Sequence, residues 1–247
     1  MSDSTTKNSE NWFSTWFDTP YYHILYKNRN DEEAQTFMDN ITHYLNMPEN
    51  GTILDLACGK GRHSIYLNKL GYNVTGVDLS ENSIAIAAAS SNETLRFKTH
   101  DMREPMNETY DAVFNLFTSF GYFDTHEDNI KTLKAIKESI NEYGFGVIDF
   151  FNADFIIENL VAEETKEIED ITFNIKRYVE NKKIIKEIRF EDKGESFFFT
   201  EKVSAFTLAD FEEMMEEAGI YLLEIFGDYK LRKFYKSQSE RLIMIFK

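Results

Sequence analysis

The residues with the most chemical content lie between Asp55 and Asp78. Asp55 is followed by Gly59-Lys60-Gly61, and Asp78 stands nineteen positions after Gly59. A glycine turn that opens a helix aims main-chain N–H groups and a positive helix end at a ligand. Glycine also removes the Cβ, so a ligand can approach the backbone. An acid closing a second apolar run at this distance is placed to reach a ribose diol. The pattern is that of a nucleoside-cofactor site rather than of a nucleophile. Cys58, the chain's one cysteine, sits in the turn as a small residue, and a nucleophilic thiolate would need a stabilising neighbour. Lys60 and Arg62 read as surface charges.

These residues need a strand, a tight turn and a helix to hold them. Ile53, Leu54 and Leu56 form an apolar run short enough for a buried parallel strand, and Ile65, Leu67 and Leu70 follow at helical spacing. Tyr72 to Val77 is the second strand. Two cofactors fit this frame. A dinucleotide site wants G-x-G-x-x-G, but Ser64 replaces the third glycine, and a carboxylate four residues before Gly59 gives a pyrophosphate nothing. The D-x-x-C-G-x-G pattern of Asp55 to Gly61 instead resembles motif I of the class I S-adenosylmethionine-dependent methyltransferases. That cofactor carries an ammonium and a sulfonium, which an acidic site suits. A nicotinamide-dependent oxidoreductase is the competing enzyme class, and a catalytically silent, cofactor-binding or dimerising relative is the competing non-enzyme.

Composition narrows the partners. With 247 residues, 42% hydrophobic and 15% aromatic, the chain can build one α/β domain with an insertion, or two small domains. A net charge of −16 repels phosphate backbones, which disfavours nucleic acid as substrate. A single cysteine excludes intramolecular disulfides, and no metal site is expected. No signal pattern and no run near the ~20 apolar residues of a membrane helix is present, so a cytoplasmic protein off the membrane is expected.

Along the rest of the chain, Trp12 to Tyr26 is rich in aromatics and reads as an N-terminal helix packed on the main domain. Asp31 to Leu45 and Ser80 to Ser91 read as helices, and Leu95 to Thr99 as the third strand. Tyr110 to Leu116 is the fourth strand, a helix capped by Asp124 or Thr125 follows, and Tyr143 to Phe151 is the fifth. This β-α alternation implies a parallel sheet with crossover helices. Residues 152–206 break it, with alternating runs around Ile171–Ile175, Ile184–Phe190 and Phe197–Ala205 and a hairpin signal at Asp192-Lys193-Gly194-Glu195. A three-stranded antiparallel insert is predicted, either a cap or a homodimer surface. Thr207 to Ala218 is a helix, and Ile220–Phe226 with Arg241–Phe246 should pair antiparallel.

The methyltransferase resemblance spans Ile53 to Lys247 and is closest to the small-molecule branch, which includes glycine and sugar-amine N-methyltransferases. It implies a seven-stranded, mostly parallel Rossmann-like sheet with an antiparallel C-terminal hairpin. Residues 1–151 and 207–247 would form the cofactor domain, with an aromatic lid over about 11–30 and an inserted cap at 152–206. Asp55, Ala57, Cys58, Gly59 and Gly61 would shape the methionine pocket. Asp78 would hold the ribose diol and Leu79 would touch adenine. Asp101 and Met102 would bind the base, and Asn115 would offer its backbone carbonyl to the ammonium. Tyr22 and Arg29 would make lid contacts. The chain lacks the two prolines that follow Asn115 in nucleobase and amide methyltransferases. Phe117, Phe120 and Tyr122 are the candidate walls of a pocket for a small-molecule acceptor, methylated at N or O before C, with S-adenosylhomocysteine as product. Tyr122, His126 and His23 are the candidate general bases, needed only for an acceptor that arrives protonated.

Overall fold

Short apolar runs separated by amphipathic helices fold here into a crossed-over parallel sheet. The computed structural model describes residues 16–27 and 31–247. The chain divides into two units, one comprising 31–159 with 204–247, the other 16–27 with 160–203.

In the first unit the elements run α2 (Asp31–Tyr44), β1 (Thr52–Leu56), α3 (Arg62–Lys69), β2 (Asn73–Asp78), α4 (Glu81–Ala87), β3 (Leu95–Thr99), β4 (Tyr110–Asn115), α5 (His126–Glu138) and β5 (Ile140–Phe151). Then come α6 (Ala153–Glu158), α7 (Leu208–Ala218), β10 (Leu222–Phe226) and β11 (Arg241–Phe246). α1 and β6 to β9 belong to the second unit. The seven strands lie in the order β3-β2-β1-β4-β5-β11-β10. β1 pairs in parallel with both β2 and β4, whereas β11 runs antiparallel to β5 and β10. The strand order therefore reverses between β1 and β4, and in open sheets of this kind ligands bind beyond the carboxyl ends at that point.

Helix ends follow their sequence signals. Thr125 caps α5 by accepting from the Asp128 N–H, and Thr207 forms a capping box with Asp210 at α7. Gly219 ends α7 at φ 69°. The core beneath the sheet includes Phe37, Met38 and Ile41 of α2 against Ile53, Leu67, Phe114 and Ile243, all fully buried. Complete burial of a side chain of this size contributes about 1.5–3 kcal/mol.

The second unit holds α1 (Pro20–Leu25), β6 (Glu163–Ile168), β7 (Ile171–Glu180), β8 (Lys183–Asp192) and β9 (Glu195–Ser204), and the four strands form a meander in chain order. The sequence predicts three strands. β6 is the fourth, an edge strand whose E-E-T-K-E-I sequence lacks apolar alternation and leaves most of its residues exposed. Its hairpin to β7 turns at Glu169-Asp170, both with positive φ (50° and 64°) and neither a glycine or asparagine. α1 is capped by Thr19, and Trp16 and Leu25 are buried against Ile171, Phe173, Ile188 and Phe190 of the sheet. The sequence places these aromatics on the main domain; the partners found are on the inserted sheet. Trp16 Nε1 and the Tyr26 hydroxyl both donate to Glu201, each at 2.7 Å, and Lys186 donates to the Tyr26 oxygen.

Candidate functional site

The turn after β1 is shaped by three left-handed residues, Ala57 (φ 60°), Gly59 (φ 55°) and Gly61 (φ 79°). The two glycines serve different ends. A Cβ on Gly61 would lie 2.6 Å from the Phe97 ring, so Gly61 is needed for α3 to close on the sheet. A Cβ on Gly59 would meet nothing within 4 Å, so Gly59 borders open space. The Cys58 N–H bonds to the Val77 carbonyl at 2.9 Å, tying the turn to β2. Burial, with Asp55 and Asp78 adding to it, pushes the Cys58 thiol up, so it stays protonated.

Asp55 is buried at the end of β1. The one hydroxyl on it is that of Ser64, which donates to Oδ2 at 2.6 Å. Ser64 stands where a dinucleotide fold would place its third glycine. Burial is the main reason that the Asp55 carboxyl is pushed up to about 7; the Ser64 hydrogen bond opposes this and the Asp78 charge adds to it. Asp78 accepts from the Gly59 N–H at 2.8 Å and from the Ser80 N–H at 2.8 Å. It therefore joins the first turn to the start of α4. Leu79 is exposed beside it.

From the other side of the switch point comes Asn115, the last residue of β4, which is buried. Its Nδ2 donates to the Leu56 carbonyl at 3.4 Å and approaches the Met102 sulfur at 4.0 Å. Its Oδ1 is buried without a hydrogen-bond partner. Asp101 is held by Arg103, whose Nη2 lies 2.7 Å from Oδ2. Burial would raise the Asp101 carboxyl, but the hydrogen bonds and charge of Arg103 outweigh it and hold the group below the usual carboxylate range.

Phe117 and Thr118 continue the chain in left-handed backbone (φ 56° and 62°). The Phe117 ring stacks on His63, with centroids 4.4 Å apart and planes at 6°, and Tyr229 lies 5.2 Å away. Phe120 is fully buried against Phe206 and Phe211. It fills core rather than a pocket wall, because Phe206 and Phe211 bring apolar surface to it from far along the chain. Tyr122 is half-buried. His126 is exposed and lies 2.7 Å from Glu217, which raises its pKa and suits it to hold a proton rather than take one. Tyr22 and His23 belong to the other unit, where Tyr22 packs against Phe17 and Tyr26. Arg29 lies outside the described residues.

The structure thus brings Asp55, Ala57, Cys58, Gly59, Gly61, Asp78, Met102 and Asn115 to one end of β1, β2 and β4. Ser64, Asp149, Arg241 and Tyr229 are given no binding role by the sequence. Ser64 was detectable, one helical turn past the glycines and facing back on the strand's acid. The other three act together from positions up to 92 residues apart and carry no local signal.

Among the described residues no helix is long and apolar enough to cross a membrane. The chain belongs to a family of methyltransferase domains, whose sequence profile matches residues 29–225. It is 29% identical over 218 residues to a putative methyltransferase of Bacillus subtilis, YqeM, covering 80% of this chain and 88% of that one. A glycine/sarcosine N-methyltransferase of Aphanothece halophytica is 33% identical over 112 residues, 43% of this chain and 42% of that one. Among solved structures, an S-adenosylmethionine-dependent methyltransferase from Clostridium acetobutylicum superposes with a TM-score of 0.78 at 19% identity, covering 92% of this chain and 95% of that one. An amino pentose methyltransferase from Micromonospora echinaspora, solved with S-adenosylmethionine bound, gives 0.72 at 18% identity, covering 92% and 96%. The terminal antiparallel pair β10–β11 agrees with this family and not with a nicotinamide fold.

Proposed function

We propose that the protein transfers a methyl group to a small-molecule amine, with a hydroxyl as the less favoured acceptor, and that the residues around Asp55 and Asn115 hold the methionine end of the cofactor. The observation that carries this is a buried carboxylate whose hydrogen bonds come from Ser64 and which forms no ion pair among the described residues, next to a buried amide oxygen without a partner. Such a set wants N–H donors and positive charge, which an ammonium beside a sulfonium provides. Asp78 sits at the carboxyl end of β2 and is proposed to take the ribose diol. Leu79, Asp101 and Met102 are proposed to border the base, and the open space at Gly59 leaves room for the ligand.

Bound S-adenosylmethionine supplies an electrophilic methyl on a sulfonium, so the reaction is an in-line displacement. The work left to the protein is to hold the acceptor in line and exclude water. Phe117 and Tyr122, on the segment after β4, are the proposed walls for the acceptor. The amine preference draws on the relatives that act on glycine, sarcosine and an amino pentose. The acidic chain suits an acceptor that is neutral or cationic.

Calorimetric titration with S-adenosylmethionine, S-adenosylhomocysteine and NAD tests the cofactor site. Micromolar affinity for the two sulfur nucleosides and none for NAD is expected. Glycine, sarcosine and amino sugars are then incubated with S-adenosylmethionine while S-adenosylhomocysteine release is followed. Turnover with hydroxyl compounds alone would move the reading from N to O methylation.

A further inference from the structure

The first unit contains a buried ion pair that no step above uses. Asp149 of β5 is fully buried, and each of its oxygens is doubly occupied. Oδ1 accepts from Arg241 Nε at 2.8 Å, and Arg241 Nη2 lies 2.7 Å from it. Oδ2 accepts from the Phe117 N–H at 2.8 Å and from the Tyr229 hydroxyl at 3.2 Å. The pairing register explains the placement. Asn115 of β4 lies opposite Ile148, so Asp149 stands beside the first residues past β4. Asp149 also lies opposite Ile243 and Phe151 opposite Arg241, which puts Arg241 two positions along on the same face.

The network ends on the turn after β4 more than once. The Thr118 N–H bonds to the Asp149 carbonyl at 3.0 Å, and Arg241 Nη2 donates to Thr118 Oγ1 at 3.0 Å. Phe117 and Thr118 are consecutive residues with a Cβ in left-handed backbone, a conformation costly for a β-branched threonine and kept only where the surroundings impose it. Asp149 and Arg241 are those surroundings. The side chain of Phe117 is fixed as well, between His63 of α3 and Tyr229, which itself packs on Phe37 at 4.7 Å.

We propose that Asp149 and Arg241 are positioning residues for methyl transfer, which hold the turn at Phe117-Thr118 so that Asn115 and Phe117 stay at the mouth of the cofactor site. This rests on the reading of that site given above. Replacing a buried ion pair by apolar residues of similar volume is often neutral for stability. Such a replacement therefore separates positioning from stability.

The test compares the wild-type chain with D149L/R241M. It reads thermal midpoint, S-adenosylhomocysteine affinity by calorimetry, and amide hydrogen exchange of peptides spanning 115–121. The expected result is a midpoint near wild type, affinity at least tenfold weaker, and exchange across 115–121 at least tenfold faster. Wild-type affinity or wild-type protection in that folded variant would overturn the proposal. Should D149L/R241M fail to fold, R241K keeps the charge opposite Asp149 but loses the fork that reaches Thr118. Faster exchange at 115–121 with severalfold weaker affinity is expected there, and no change in either overturns the proposal. A wild-type chain that does not bind S-adenosylhomocysteine would instead sink the cofactor reading. Exchange at 115–121 would then decide by itself whether the pair holds the turn.

Discussion

Two aspartates towards the carboxyl ends of the parallel strands on either side of β4 have opposite surroundings. Asp55 on β1 and Asp149 on β5 are both buried. Asp149 meets a guanidinium, a main-chain N–H and a phenol, while Asp55 meets the hydroxyl and main chain of Ser64 and the like charge of Asp78. Burial pushes the Asp149 carboxyl up, and Arg241, the Phe117 N–H and Tyr229 pull it back. Burial opposes the charge on Arg241, but Asp149 and Tyr229 hold its pKa above the ordinary value. The Asp149 site is complete without a ligand. Asp55 forms no ion pair among the described residues, in keeping with the proposal that a cofactor ammonium faces it.

The same substitution in the two sites is therefore expected to act with opposite sign. Asp149→Asn leaves the Arg241 charge buried without its partner and should destabilise the fold by about 3–5 kcal/mol. Asp55→Asn should stabilise the ligand-free protein. The folded carboxyl of Asp55 titrates near 7 against an ordinary 3.8, so between these values the folded state keeps a proton that the unfolded chain has lost. Stability then falls as pH rises from about 4 to about 7, and the amide removes that loss. The gain at pH 8 is on the order of 2–4 kcal/mol and shrinks as pH is lowered towards 4. Urea unfolding of both variants at pH 8 and pH 5 checks the signs, and a destabilised Asp55→Asn would break the contrast.

The next largest effect is on binding. Asp78 holds two main-chain N–H groups and is the proposed ribose ligand. Asp78→Ala should weaken S-adenosylmethionine binding more than tenfold, which is over about 1.4 kcal/mol, and leave a folded chain. Wild-type affinity in that variant would remove the ribose assignment.

The pH dependence of binding sharpens the contrast further. With Asp55 near 7, the ionised form that a cofactor ammonium would need grows from a minor to a major species between pH 6 and pH 8. Affinity for S-adenosylmethionine should rise about tenfold over that range. Calorimetry in buffers of different ionisation enthalpy should show proton release on binding at pH 7. Flat affinity would mean that the cofactor does not face Asp55.

How much of this contrast could be read from the sequence depends on distance along the chain. Asp55, Gly59, Gly61 and Asp78 belong to one strand–turn–helix–strand passage, where local spacing fixes geometry, and the parallel sheet and terminal hairpin follow from the same periodicities. Asp149, Arg241 and Tyr229 meet only because β11 inserts beside β5, which no local pattern states. Phe120 illustrates the same limit, since an aromatic beside a site looks alike whether it faces a pocket or Phe206 and Phe211. β6 went unread because a charged edge strand lacks the alternation that marks a half-buried one.

The smallest expected effect is the most selective. Ser64→Ala removes the hydroxyl that favours the ionised form of Asp55 and leaves the glycine turn and Asp78 untouched. A hydrogen bond to a charged group contributes about 1.5–3 kcal/mol, so the carboxyl should titrate about one pH unit or more above its present value. At pH 7 the affinity for S-adenosylmethionine should fall severalfold. At pH 9, where Asp55 is ionised in either protein, the two should converge. Convergence separates a change in proton affinity from damage to the pocket, because a displaced turn would weaken binding equally at both pH values. A loss of the same size at pH 7 and pH 9 would assign Ser64 to packing and leave Asp55 without its charge-selective role.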